Sequence, residues 1–173
     1  KDTFIGADLA DSEADFNPAD FKEIFDKIYD KNLPITIHSG ETPDARAAQR
    51  IKDSIDILHA QRIGHGIQLV TDTQILEYVK NKNVLLEICP ISNVLTKAFT
   101  NRSEHPFKEL YLKNVLVSIN SDDPGIFNTN LCDDYSYLIQ KYQLSIDDIS
   151  KINEMAMRSS FINATEKEKY WPY

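Results

Sequence analysis

His38-Ser-Gly-Glu41 closes the apolar run Leu33-Pro-Ile-Thr-Ile37. A histidine and a glutamate three positions apart, at the mouth of a predicted strand, can face one pocket across a tight glycine turn. Neutral imidazole suits zinc, and a non-ligating glutamate beside it can protonate a leaving or attacked nitrogen. Arg62-Ile-Gly-His65-Gly66 and Ser118-Ile-Asn-Ser-Asp122-Asp123-Pro124 each close a further β-like run. His65 stands between two glycines, which leave room for a close approach by substrate or water. Asp122 and Asp123 are adjacent like charges, costly if buried unless a cation or donor compensates them. One aspartate as metal ligand and the other as hydrogen-bond acceptor from substrate is the sharper reading; a solvated loop is the plainer one. Asp8 and the group Asp11 to Glu13 form another acidic cluster at a strand end, where loop and capping roles compete. His59, on a predicted helix, and His105, before Pro106, read as structural, and Cys89 as buried and inert.

The intervals between these residues turn separate motifs into one candidate site. Asp8 to His38 is 30 residues, His38 to His65 is 27, His65 to Cys89 is 24 and Cys89 to Asp122 is 33. Each fits one strand plus one returning helix, the repeat of a parallel βαβ architecture. Polar residues at the carboxyl ends of successive parallel strands are how barrel and doubly wound enzymes assemble active sites. The expected strands are Thr3 to Asp8, Leu33 to Ile37, a short one around Arg62 to Gly64, Val84 to Cys89 and Val115 to Ile119. Between them, Asn17-Pro18 and Thr42-Pro43 read as cap-then-proline helix starts. The first helix presents Phe21, Ile24, Phe25 and Ile28; the second presents Ala48, Ile51, Ile55 and Leu58. Asp72 caps a third helix, and Pro106 to Lys113 is a short one. From about Leu131 the β signal stops and two helices follow, the second capped by Ser145. The tail from Thr165 to Tyr173 reads as frayed or packed on a neighbour.

Length and charge limit what such a site can serve. The 173 residues suffice for one well-buried domain, but a complete eight-stranded α/β barrel usually needs about 250. Net charge is −8, from 19 basic and 27 acidic residues, with no basic cluster, which disfavours nucleic acid and anionic membranes as partners. No apolar run approaches a membrane span, and no signal-peptide pattern stands at Lys1. Two distant cysteines, Cys89 and Cys132, fit a reducing cytoplasm better than a disulfide scaffold. The whole chain, 1–173, reads as one domain.

The motifs together resemble the adenosine deaminase family of the amidohydrolase superfamily. The resemblance rests on Asp8-Leu-Ala10, His38-Ser-Gly-Glu41, Arg62-Ile-Gly-His-Gly66, Cys89-Pro-Ile-Ser-Asn93, Ser121-Asp-Asp-Pro124 and Ser159-Ser-Phe161. It implies an α/β barrel with one catalytic zinc at the carboxyl ends of its strands, the five strands here being the fourth to eighth. His38 and Asp122 would then be zinc ligands. Glu41 would protonate the purine nitrogen N1 and ease attack at C6. His65 would orient the attacking water at the zinc and help deprotonate it, and Asp123 would accept a hydrogen bond involving N7. The implied substrate is a small purine nucleoside, adenosine or 2'-deoxyadenosine, converted to the inosine product plus ammonia in purine salvage.

The chain departs from that pattern in three ways. The family's first strand carries a His-X-His pair that completes the zinc site, and no such pair occurs in this sequence. Two further histidine ligands are therefore expected from an absent N-terminal segment, along with the first three strands. The expected fold is thus α/β, an incomplete (β/α)8 TIM barrel: the C-terminal part of a single barrel domain, inactive by itself. Its open edges should pair with another copy or with a companion N-terminal fragment. Asp11 stands where the family usually has a glycine whose backbone N–H meets the purine, and Ser39 replaces a common alanine. The alternatives are an aminohydrolase acting on adenine or on an N6-substituted adenine nucleotide, and a non-catalytic truncated fragment. Zinc cytidine-type deaminases fit poorly, since their His-X-Glu and Pro-Cys-X-X-Cys elements are absent.

Overall fold

Five short strands, each closing a stretch of alternating or continuous apolar residues, lie side by side in chain order and all run parallel. They are β1 (Ala7–Leu9), β2 (Ile35–Ser39), β3 (Arg62–His65), β4 (Leu85–Ile88) and β5 (Val117–Ile119). The computed structural model describes residues 4–13, 15–99 and 104–171. Nine α-helices are present among them: α1 (Lys22–Tyr29), α2 (Ala47–Leu58), α3 (Thr73–Asn81), α4 (Pro90–Leu95), α5 (Phe107–Leu112), α6 (Pro124–Phe127), α7 (Leu131–Tyr142), α8 (Ile146–Ser159) and α9 (Ala164–Tyr170). Parallel neighbours need a crossover between them, and α1, α2, α3 and α5 supply it with short 3-10 turns.

The period-2 geometry of a strand divides the sheet into two chemically different faces. Ile35, Ile37, Ile63, Leu86 and Ile88 are fully buried in the core, with Ile51 and Leu58 of α2 and Val79 of α3. Each such side chain contributes roughly 1.5–3 kcal/mol by leaving water. Thr36, Arg62 and Glu87 meet on the opposite face. There Thr36 donates to Glu87 at 2.8 Å, Arg62 pairs with the same carboxylate, and the Arg62 guanidinium lies 4.5 Å from the Phe161 ring centre. His38 and Gly64 share that polar face, because the His38 ring lies directly over Gly64. The strands therefore carry the core on one side and the chemistry on the other.

Helix starts agree with the sequence where a side chain can reach the first-turn N–H groups. Asp72 accepts from Gln74 and Ile75 at 2.9 and 3.0 Å. Ser145 and Asp148 close a reciprocal capping box on α8, and Asn130 with Asp133 does the same for α7. The two cap-then-proline readings need correction. Asn17 precedes a 3-10 turn, Pro18–Phe21, and its amide donates to Asp20 instead of capping. Thr42-Pro43 lies in a loop, and α2 begins only at Ala47, because Asp44 accepts from the Arg46 N–H and grips Arg50. Ile24 is 57% exposed: on α1 it lies about 100° round from buried Phe25, off the apolar stripe. Strand β1 begins at Ala7, and Thr3, where the sequence starts it, lies outside the described residues. The tail forms α9, with Asn163 accepting from Glu166 N–H at its start; its last two residues also lie outside the described set. Among the described residues, no helix is long and apolar enough to cross a membrane.

Candidate active site

His38 is the penultimate residue of β2, His65 the last of β3, and Asp122 follows β5 by three residues. The strand ends thus bring together groups separated by more than eighty positions. His38, Glu41, His65, Asp122 and Asp123 line one cavity of about 660 Å³, and Asp8 and Asp11 line it too. A smaller adjoining cavity of about 360 Å³ is bounded by His38, His65, Cys89 and Asp122. These seven residues, all singled out from the sequence, therefore face the same space.

The loop carrying Glu41 is held from beneath. Gly40 adopts φ +79°, and a Cβ there would sit 2.4 Å from Ile51 Cδ1, so only glycine allows the turn against α2. The backbone N–H groups of Gly40 and Glu41 both donate to the Glu13 carboxylate, at 2.9 and 2.8 Å. Glu13 is buried and pairs with buried Arg50 at 3.3 Å. Gln68 adds a bond to the Glu41 carbonyl at 3.1 Å. The Glu13 cluster thus takes the loop role among the readings left open by sequence, and it fixes the backbone of the catalytic candidate.

Helix α4 supplies the polar shell. Ser92 donates to Asp122 Oδ2 at 2.6 Å, Thr96 to Glu41 Oε1 at 2.8 Å, and the Asn93 amide reaches Glu41 Oε1 at 3.3 Å. Asn93 also lies 3.0 Å from His65 Nδ1, while His65 Nε2 faces Glu41 Oε2 at 3.6 Å and Asp122 Oδ2 at 3.9 Å. These four contacts, from α4 and its C-cap Thr96, were not assigned from sequence. The one signal for them was the position of Ser92 and Asn93 immediately after a strand end, in Cys89-Pro-Ile-Ser-Asn93. His105 belongs to the same network, donating to Asn93 Oδ1 at 3.2 Å.

Two backbones are bent left-handed at the centre: His65 has φ 61° and Asp122 φ 57°. Such conformations cost of order 1–3 kcal/mol for a non-glycine residue and persist where surroundings enforce them. Asp11 has φ 127°, which gives the physical reason a glycine suits that position. Its carboxylate accepts from the Ser12 N–H at 2.6 Å. Ser39 is buried with its hydroxyl unpaired, where an alanine would leave no polar atom unsatisfied.

The donor set fits a hard-to-borderline cation. His38 offers an imidazole nitrogen and Asp122 a carboxylate on the same cavity wall, two donor types that zinc accepts. His65, Cys89 and Asp122 also have ligand atoms within 4.8 Å of one another. Cys89 is the weaker member, since burial and the nearby carboxylates push its thiol well above the ordinary range, and its sulfur faces the Glu87 carbonyl at 3.5 Å. Burial also pushes the Asp8 carboxyl up.

Comparison with known proteins gives a consistent picture. The family model described as adenosine deaminase matches residues 1–171. An adenosine deaminase of Plasmodium vivax is 40% identical over 98% of this chain and 46% of its own length. The crystal structure of an adenine deaminase from Arthrobacter aurescens superposes with a TM-score of 0.87 at 29% identity, covering 94% of this chain and 49% of that one. An N6-methyl-AMP deaminase from Arabidopsis thaliana superposes with a TM-score of 0.82 at 25% identity, covering 95% and 47%. The chain thus spans about half the length of the relatives it matches, and its five strands are part of an α/β barrel, as the family resemblance implies, with the parallel βαβ repeat that the motif spacing predicts.

Proposed function

The chain belongs to the adenosine deaminase family, and from that premise we propose that it carries much of the active site for hydrolytic deamination of adenosine or 2'-deoxyadenosine, as the C-terminal part of a single barrel domain. The observation that carries the reading is the convergence of Glu41, His65, Asp122, Asp123 and His38 on one cavity. His38 and Asp122 would hold one zinc ion, with two further histidine ligands from outside this chain. Bound zinc lowers the pKa of water from 15.7 to about 7, which supplies a nucleophile at neutral pH.

The chain's own residues do the rest. Glu41, steadied by Thr96 and Asn93, gives a proton to purine N1 and so draws electron density from C6. His65 orients the attacking water, and Asp123 makes the hydrogen bond at N7, whose lone pair can only accept. Ammonia leaves from C6. The Glu13 and Gln68 contacts to the Glu41 loop keep the acid within reach of the ring, the condition general acid catalysis demands.

Adenine is the second reading. Support comes from Asp11 at the position of the usual glycine and from the superposition on an adenine deaminase. The test is ammonia release by the whole polypeptide from adenosine, adenine and N6-methyl-AMP in parallel. Adenosine is expected to turn over fastest, and Glu41→Gln to lose about 10²–10⁴-fold. A Glu41→Gln variant as active as wild type would remove Glu41 from the chemistry. Turnover of adenine or of the nucleotide alone would transfer the assignment to that substrate.

A further inference from the structure

A line of hydrogen bonds runs from a main-chain group to His65, and its direction can be read from one end. The Phe107 N–H has only a proton to give, and it donates to His105 Nδ1 at 3.0 Å, so that nitrogen holds a lone pair. His105 is buried, and burial pushes its pKa down to about 3. Its ring is neutral at neutral pH, with the single proton on Nε2. Nε2 lies 3.2 Å from the Asn93 oxygen and donates to it. That contact orients the Asn93 amide, whose NH2 group then faces His65 Nδ1 at 3.0 Å and the Glu41 carboxylate at 3.3 Å. The reversed amide would set donor against donor at His105 and oxygen against carboxylate at Glu41. The Phe99 ring, 5.1 Å from the His105 ring between centres, and the Tyr142 hydroxyl, donating to the His105 carbonyl at 2.9 Å, hold the relay in place.

We infer that His105 and Asn93 are positioning residues that fix His65 as the Nε2–H tautomer. His65 Nδ1 accepts from Asn93, and the ring proton sits on Nε2, the nitrogen that faces Glu41 and Asp122. On the proposed function, His65 then presents a donor to the attacking water and holds it in line, leaving proton removal to a carboxylate of the cavity. This departs from the base role that family resemblance implies for His65.

The test is the ring-nitrogen NMR spectrum of the metal-free whole polypeptide labelled with 15N-histidine, at neutral pH. Signals are assigned with His65→Gln and His105→Gln. The expected result is His65 Nε2 at a protonated shift and Nδ1 at a lone-pair shift. Asn93→Asp, which can only accept, should move a proton onto Nδ1. His105→Gln, which can keep both polar contacts, should leave the His65 pattern unchanged. A wild-type His65 carrying a proton on Nδ1, neutral or as imidazolium, would overturn the inference, as would an Asn93→Asp spectrum identical to wild type. The wild-type spectrum decides alone should Asn93→Asp fail to fold. The readout is a property of the protein and not of turnover, so an inactive enzyme with the expected spectrum would sink the proposed activity and leave the tautomer standing.

Discussion

Single atoms decide much of this site. A Cβ on Gly64 would fall 2.5 Å from His38 Cδ2, closer than real contacts allow, so Gly64→Ala must swing the imidazole aside. Displacing a reacting group by about 1 Å can cost about 100-fold. We expect Gly64→Ala in the whole polypeptide to lower kcat/KM by about that factor and to reduce bound zinc, measured by steady-state kinetics and metal analysis. His105 makes a second residue-level prediction. Its folded pKa, about 3, lies below the ordinary value of 6.5 because burial disfavours the charged ring. The unfolded chain therefore binds more protons between those two values, and His105 withdraws stability as pH falls through 6.5 toward 3. The loss in that window amounts to a few kcal/mol. His105→Gln should flatten that part of the stability–pH curve in denaturant titrations, and an unchanged slope would show that the ring is not held neutral. The functional residue types were legible in sequence, as was the neighbourhood of His38 and Glu41. The relay through Asn93 and His105 was not, because an Asn and a His twelve positions apart carry no periodic signal and meet only once α4 and α5 are packed.

At the scale of elements, strand ends and caps carry local signals, whereas loops take their shape from distant partners. Asp72 and Ser145 cap as their spacing predicts, because a capping bond spans only two or three residues. Thr42-Pro43 does not start α2, because Arg50 recruits Asp44 and holds the preceding residues in a loop. The same Arg50 meets Glu13, from a segment 37 positions earlier. Glu13 then anchors both N–H groups of the Gly40-Glu41 turn. Removing one partner of a buried pair costs about 3–5 kcal/mol, partly offset here because Asp44 remains with Arg50. Glu13→Gln should therefore destabilise by about 3 kcal/mol in equilibrium unfolding and lower kcat as the Glu41 loop loosens. A loss under about 0.5 kcal/mol would show that the pair does not support the loop.

For the whole molecule, β1 and β5 have one strand neighbour each among the described residues, so each presents an edge of backbone groups for pairing. We expect the 173-residue chain, prepared by itself, to self-associate in light scattering and to release no ammonia from adenosine with added zinc. A compact, active monomer would overturn both expectations. The sequence by itself determined the parallel βαβ repeat, since two-residue and 3.6-residue periodicities and strand-to-strand intervals are local properties of the chain. It also determined the family, since His38, Glu41, His65, Asp122 and Asp123 stand in order at strand ends. Only the tertiary structure decided which groups hold Glu41, His65 and Asp122 in place. Glu13, Ser92, Asn93, Thr96 and His105 act by hydrogen bonds whose length and direction exist only after the helices dock on the sheet.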